Sequence, residues 1–218
     1  MTTLADLKAR ALQVLSDSQG TRYNSDLMDE AFKQALDALN ARLPRLITQE
    51  LTITTPGRDQ PVTDMERCLF IVSVCLVNPA QLTRELQADS EFTFQLNTEG
   101  LPALHFSGAK VPQEGDTLRI QYAQAFTLAD IDSGLLPLTY ETALVTGAAG
   151  HASIMRATQL IEAYGNRSDD APRLLGVGRL RLDSFEALLS ALRVQQDFGF
   201  PPGFALDKFD RNGSGRYS

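Results

Sequence analysis

Hydrophobic positions along this chain change their period twice. Through the first forty-odd residues they recur at helical spacing, with Leu4, Leu7, Ala11, Val14 and Leu15 on one stripe and Met28, Phe32, Ala35 and Leu39 on another. Thr3 followed by Asp6 resembles a capping box, and a break follows at Ser18-Gln-Gly-Thr21. Asn24 or Ser25 caps the second helix, and Asp26, Asp29 and Glu30 occupy its first turns, where the helix dipole favours negative charge. Pro44 stops it. The pattern predicts helices over residues 3–16 and 24–43, packed as a hairpin.

From Leu46 to Tyr122 the period falls to two. Ile47, Leu51 and Ile53 take alternate positions in a first strand, and Phe92, Phe94 and Leu96 do so in another. Asn97-Thr-Glu-Gly100 is a hairpin turn into Leu101–Phe106, and Pro112-Gln-Glu-Gly-Asp116 is the turn before a further strand. The run Cys68–Val77 is apolar on both faces and rich in Ile and Val, which reads as a buried strand, although a short buried helix fits nearly as well.

The third region is helical again. Pro137 suits a helix start, and the helix can run to Gly165-Asn166. A further helix takes Asp183 and Glu186 as its capping box, with Phe185, Leu188, Leu189 and Leu192 on its buried face. Its start is open, because residues 173–181 contain two glycines. After Asp197 the periodicity stops.

The junction between the second and third regions is the most informative stretch. In Asp116-Thr-Leu-Arg-Ile-Gln-Tyr122, Leu118, Ile120 and Tyr122 fall on one face and Thr117, Arg119 and Gln121 on the other, the mark of a half-buried strand. An irregular loop, Ala-Phe-Thr-Leu-Ala-Asp-Ile-Asp-Ser-Gly-Leu-Leu-Pro137, leads to a long helix with an Ala/Gly cluster in its early turns, Ala143, Gly147, Ala148 and Gly150. This order resembles the head-to-tail adaptor (connector) proteins of tailed bacteriophages, over about half the chain.

Composition narrows the field. With 218 residues, 43% hydrophobic and 22% charged, the chain has the make-up of an ordinary soluble globular protein of one good-sized domain or two small ones. No segment approaches the roughly 20 apolar residues that cross a bilayer. The start, Met-Thr-Thr-Leu-Ala-Asp-Leu-Lys, lacks a basic region followed by an apolar core, so the expectation is synthesis and assembly in the cytoplasm. Twenty basic against 27 acidic residues give a net charge of −7, which speaks against gripping nucleic acid but suits a wall that DNA merely passes. Cys68 and Cys75 read as small buried hydrophobes; on one strand they would stand about 23 Å apart, too far for a bridge.

Motifs of catalysis are weak or absent. Val145-Thr-Gly-Ala-Ala-Gly150 looks like the nucleotide-binding turn of short-chain dehydrogenases, but His151-Ala-Ser follows it and fewer than 70 residues remain for further βα units. The better reading is that Ala143, Gly147, Ala148 and Gly150 let another helix approach closely. Asp210-Arg-Asn-Gly-Ser-Gly215 matches only the opening half of a calcium loop. His105 and His151 have no Cys, Asp or Glu at ligand spacing, and no Gly-x-Ser-x-Gly or Walker sequence occurs. No catalytic residue, cofactor or metal is expected.

The last 22 residues carry Phe198, Phe200, Phe204, Phe209 and Tyr217 among prolines and glycines, well above the 7% aromatic content of the whole chain. Either a partner buries these rings or the arm folds back on its own domain; a partner is the preferred reading.

The expected fold class is α+β: a bundle of about four helices with an inserted small antiparallel β-domain and an extended C-terminal arm. The expected boundaries are 1–45 for the N-terminal hairpin, 46–123 for the β insertion, 124–196 for the remaining helices and 197–218 for the arm. The resemblance implies a structural virion protein, assembled in the host cytoplasm, that forms a ring, twelve-fold in that family, under the portal vertex. It implies contacts with neighbouring adaptor subunits, the portal protein and the next neck or tail protein, with DNA only in transit and no membrane. The arm and its five aromatic residues would reach the portal. Two alternatives stand beside it: a virion-associated glycan hydrolase, which needs two carboxylates about 5–10 Å apart in a cleft, and another neck or tail-completion ring protein.

Overall fold

The computed structural model describes residues 2–62, 65, 67–77, 83–86, 91–96, 102–107, 111–164 and 170–198. The expected turn at residues 97–100, the helix end at residues 165 and 166, the half calcium loop at 210–215 and all of the arm beyond Phe198 lie outside them. The chain divides into two compact units, Met1–Leu43 with Phe126–Ser218, and Pro44–Ala125. The architecture is α+β.

In the helical unit, α1 (Leu4–Val14) starts on a complete capping box, with Thr3 Oγ1 accepting from the Asp6 N–H and the Asp6 carboxylate accepting from the Thr3 N–H. The Leu4 N–H donates to Asp132 at 2.8 Å, a second carboxylate at the positive helix end. Between α1 and α2 (Ser25–Arg42), buried Asp17 gathers the turn, accepting from the N–H groups of Thr21, Arg22 and Tyr23 and from the Thr21 hydroxyl. Asn24 caps α2 through the Leu27 N–H. Met28, Phe32, Ala35 and Leu39 are buried along α2.

Helix α3 (Leu128–Asp132) is one short element in the loop that the sequence left irregular, opened by a Thr127–Asp130 capping box. Helix α4 spans Leu138–Tyr164 and α5 spans Asp170–Phe198. Two expectations about α5 fail. It runs unbroken through Gly176 and Gly178, so Asp183 and Glu186 lie in mid-helix and cap nothing; and it continues past Asp197 to Phe198. The expected buried face is present: Phe185 and Leu189 are buried, and Leu188 and Leu192 pack partly buried against the same core.

In the second unit, β1 (Arg45–Thr52), β2 (Asp59–Pro61), β3 (Cys68–Val77), β4 (Thr83–Leu86), β5 (Phe92–Leu96), β6 (Pro102–Phe106) and β7 (Thr117–Gln124) form two antiparallel sheets, ordered β1-β7-β3-β4 and β2-β6-β5. One core takes Ile53, Val74, Leu118, Ile120 and Tyr122 together with Val62, Phe92, Leu104 and Phe106. The turn into β7 closes with the Gln113 N–H on the Asp116 carboxylate and with Gly115 at φ +86°, a conformation that costs glycine nothing.

The run Cys68–Val77 is a strand, but it is not buried on both faces. Two β-bulges break its register with β7, between Cys68 and Phe70 and between Ile71 and Ser73, and Leu69, Phe70 and Val72 are all about half exposed. A bulge adds a residue that pairs with nothing and turns its neighbours outward, and an unbroken apolar run gives no sign of where that happens. Cys68 and Cys75 are accordingly half-buried rather than enclosed, and both are free. Phe94, expected with Phe92 on one face, is 42% exposed while Phe92 is buried.

Candidate functional site

Helices α4 and α5 approach each other closely at their glycines. A Cβ on Gly147 would stand 2.9 Å from the Phe185 ring, and one on Gly150 would stand 2.8 Å from Leu182 and 3.2 Å from the Gly178 carbonyl oxygen. Ala143 and Ala148 are buried in the same core. The small residues of α4 are therefore met by two large side chains and a glycine of α5. Gly178 is the residue sequence reasoning missed. In the sequence, Gly176 and Gly178 leave the helix start open; in the structure Gly178 lies inside the helix and meets α4, whereas Gly176 meets nothing within 4 Å.

Polar bonds pin this crossing. Arg181 donates to the buried Ser153 hydroxyl at 3.0 Å and to the Val14 carbonyl at 2.8 Å, tying α5 to α4 and to the end of α1. Arg42 pairs with Glu186, and Arg10 pairs with Glu141 at 2.6 Å. Asn40 is buried and bonds both backbone groups of Phe126, its amide donating to the carbonyl at 2.9 Å and its oxygen accepting from the N–H at 2.7 Å. That pair clamps the end of α2 to the start of the returning chain.

The titratable groups are dispersed. Among the described residues no group of three or more His, Cys, Asp or Glu is placed to hold a metal ion. His151 is half-buried in α4, and burial pushes its pKa down, favouring the neutral imidazole. His105 Nδ1 lies 2.7 Å from Asp59, a pairing across β6 and β2 that residues 46 apart in sequence did not announce. Burial pushes the Cys68 thiol and the Tyr140 phenol up, the latter with its ring edge-on to Phe126.

Two open cavities indent the surface of the described residues. One of about 390 Å³ is lined by Thr2, Ile131, Gly134, Leu136, Leu138 and Glu141; the other, of about 310 Å³, is lined by residues of β1, β2 and the loop between them, including Asp59. Among the described residues each has one lining carboxylate, and each of those is already paired, Glu141 with Arg10 and Asp59 with His105. Among the described residues neither brings together the two carboxylates that glycoside hydrolysis needs. The expected partner-binding residues Phe200, Phe204, Phe209 and Tyr217, and the side chain of Phe198, lie outside the described residues.

No family model matches this sequence, and no curated protein matches it. Solved structures contain chains that align with it, among them three of gene transfer agent particles. One is the neck of an empty gene transfer agent (GTA) particle computed with C6 symmetry, at 17% identity and TM-score 0.31 over 65% of this chain and 74% of that one. Another is the virion of a native GTA particle, at 19% identity and TM-score 0.30 over 64% and 66%. The third is the neck of a native GTA particle computed with C12 symmetry, at 18% identity and TM-score 0.31 over 67% and 78%. Likeness at TM-scores near 0.3 carries no weight for fold or role.

Proposed function

We propose that the chain is a structural neck protein of a tailed phage or phage-like particle, a head-to-tail adaptor that docks as a ring on the portal. The observation that carries this reading is the order of elements around β7. A strand with Leu118, Ile120 and Tyr122 on its core face passes through an irregular segment into α4, whose small residues seat α5, and the whole β unit is inserted between α2 and α3. The strand, the loop and the small-residue helix are the part of that order on which the sequence resemblance to phage adaptors rests.

In this reading the function is assembly. The α4–α5 pair, locked by glycine contacts, is the stiff body that a ring subunit needs, and heterologous contacts between neighbours close the ring, twelve-fold by analogy with that family. The acidic balance of the chain keeps DNA phosphates from adhering during transit. The arm, with Phe198, Phe200, Phe204, Phe209 and Tyr217, inserts its rings into the portal, and the opposite surface meets the next neck or tail protein.

The test is genetic and structural. Inactivating the gene in its phage or prophage should yield filled or leaking heads and free tails that fail to join, with joining restored by added protein. Joined, infectious particles in its absence would sink the proposal.

A further inference from the structure

The cavity of about 390 Å³ at the start of α4 is open and mostly apolar, with Ile131, Gly134, Leu136 and Leu138 in its lining. Ile131 and Leu136 belong to the buried core, whereas Leu138 is 73% exposed and Leu135, next to Leu136, is 43% exposed. The rim leaves aliphatic surface in water. Glu141, the one lining carboxylate among the described residues, already has Arg10 as its partner, so an apolar group can enter without stranding a charge.

The register of α4 against α5 shows what lies within reach. Gly147 meets Phe185, Gly150 meets Leu182 and Ile154 meets Gly178, so each step forward on α4 is an equal step back on α5. Continued, this antiparallel register sets Leu138 level with Val194 and ends α5, at Phe198, about 6 Å beyond the start of α4. The chain therefore leaves α5 at the same end of the helical unit as the cavity. Leu138 stands nine residues before Gly147, or about two and a half turns, which puts it on the side of α4 away from α5. The way around the end of α4 is about 15 Å, from a spacing of roughly 8–10 Å between packed helix axes and a helix radius of ~5 Å. At about 3.3 Å per extended residue, Phe200 reaches only about 7 Å past Phe198, while Phe204 reaches about 20 Å.

We propose that in the free chain the ring of Phe204, from the same chain, seats in this cavity. Ala205 and Leu206 follow it and supply apolar surface for the exposed rim at Leu135 and Leu138. Residues 199–218 carry Lys208, Arg211 and Arg216 against Asp207 and Asp210, a basic balance in an acidic chain, and the cavity is bordered by Glu141 and by Asp132, next to Ile131. The tether favours this occupant over any other, because a short linker holds the ring at an effective concentration on the order of millimolar. A partner that takes the arm must first displace the ring. The seating belongs to the free chain and does not rest on the adaptor reading.

The chain has no tryptophan, so Phe204→Trp in the full chain supplies a single fluorescent reporter. Its emission should be blue-shifted and shielded from acrylamide, equally at nanomolar and micromolar protein. Adding Leu138→Glu, at an exposed position, should move the emission to that of a solvated indole, with helix content unchanged by circular dichroism. A second measurement serves if Leu138→Glu fails to fold. With Cys68 and Cys75 replaced by serine, the pair Leu138→Cys and Ala205→Cys should close an intramolecular disulfide at least about tenfold faster than Leu138→Cys with Tyr217→Cys, in line with the higher effective concentration of a seated segment. A reporter open to quencher in the free chain, shielding lost on dilution because the ring sits on a second copy, shielding that survives Leu138→Glu, or equal rates of disulfide closure would each overturn the proposal.

Discussion

Gly150 and Gly178 face each other across the α4–α5 contact so closely that each excludes a side chain from the other. A Cβ on Gly150 would stand 3.2 Å from the Gly178 carbonyl oxygen, and one on Gly178 would stand 3.0 Å from the Gly150 carbonyl oxygen and 2.7 Å from Ile154 Cγ1. Two of these contacts are with backbone, which cannot swing aside. Gly178→Ala should therefore cost about 1–3 kcal/mol through overpacking. Two residues earlier, a Cβ on Gly176 would meet nothing within 4 Å. Gly176→Ala should stabilise the helix by about 0.5–1 kcal/mol, because alanine loses less backbone freedom there. Urea unfolding of the two variants checks both signs, and destabilisation of equal size would show that the contact is not specific.

Gly147 has a different constraint. Its neighbour is the Phe185 ring, at 2.9 Å from an added Cβ, and a side chain can shift where a backbone cannot. Gly147→Ala should cost less than Gly178→Ala, while Gly147→Leu should displace Phe185 from the core and cost about 1–3 kcal/mol. Thermal melts of the two variants order these effects. A Gly147→Leu variant as stable as the parent would mean that the ring relocates freely.

The Asn40–Phe126 clamp is a second point of high consequence. Asn40→Ala leaves the Phe126 N–H and carbonyl buried without their partner, at about 1–3 kcal/mol. Asn40→Asp keeps the acceptor but loses the donor and buries a charge, so it should be at least as damaging at neutral pH and should recover partly in acid, when the carboxyl protonates. Unfolding of both variants at two pH values tests the assignment.

Much of the helical unit was legible because its signals are local. Thr3 with Asp6 and Asn24 act within one turn of where they stand, and the stripe through Phe32 and Leu39 repeats along its own helix. The losses came from non-local or out-of-register features. Gly178 makes sense only once α4 is beside it. The bulges in β3 turn Leu69, Phe70 and Val72 outward although the run from Cys68 to Val77 reads as uniformly apolar. Asp183 and Glu186 have capping-box spacing but sit inside α5, since a three-residue spacing of acids is equally at home on an exposed helix face. The His105–Asp59 pair had no sequence signal at all, because strand pairing alone brings it together.

Asp17 gives the fold an acid limit. Burial acts to raise its pKa, but hydrogen bonds from Tyr23, Thr21 and Arg22 together outweigh that and hold it below the usual aspartate range. A folded-state pKa below the unfolded one contributes stability at neutral pH that is lost as pH falls through the folded value. Asp17→Asn should therefore be less stable than the parent at pH 7, and the difference should shrink once the pH drops below the ordinary aspartate range. A difference that stays constant with pH would assign the loss to geometry rather than to charge.

The proposed docking on a portal ring is read out by co-sedimentation with purified portal rings of the same particle. The full chain should pellet with the portal at a fixed ratio of subunits. A chain ending at Phe198 should keep its helix content and remain in the supernatant, and replacing Phe200, Phe204 and Phe209 with alanine should weaken pelleting in steps, since each buried ring contributes about 1.5–3 kcal/mol against the entropy of ordering the arm. Undiminished pelleting of the truncated chain would move the interface to the helical unit. A full chain that stays in the supernatant beside intact portal rings would contradict the account.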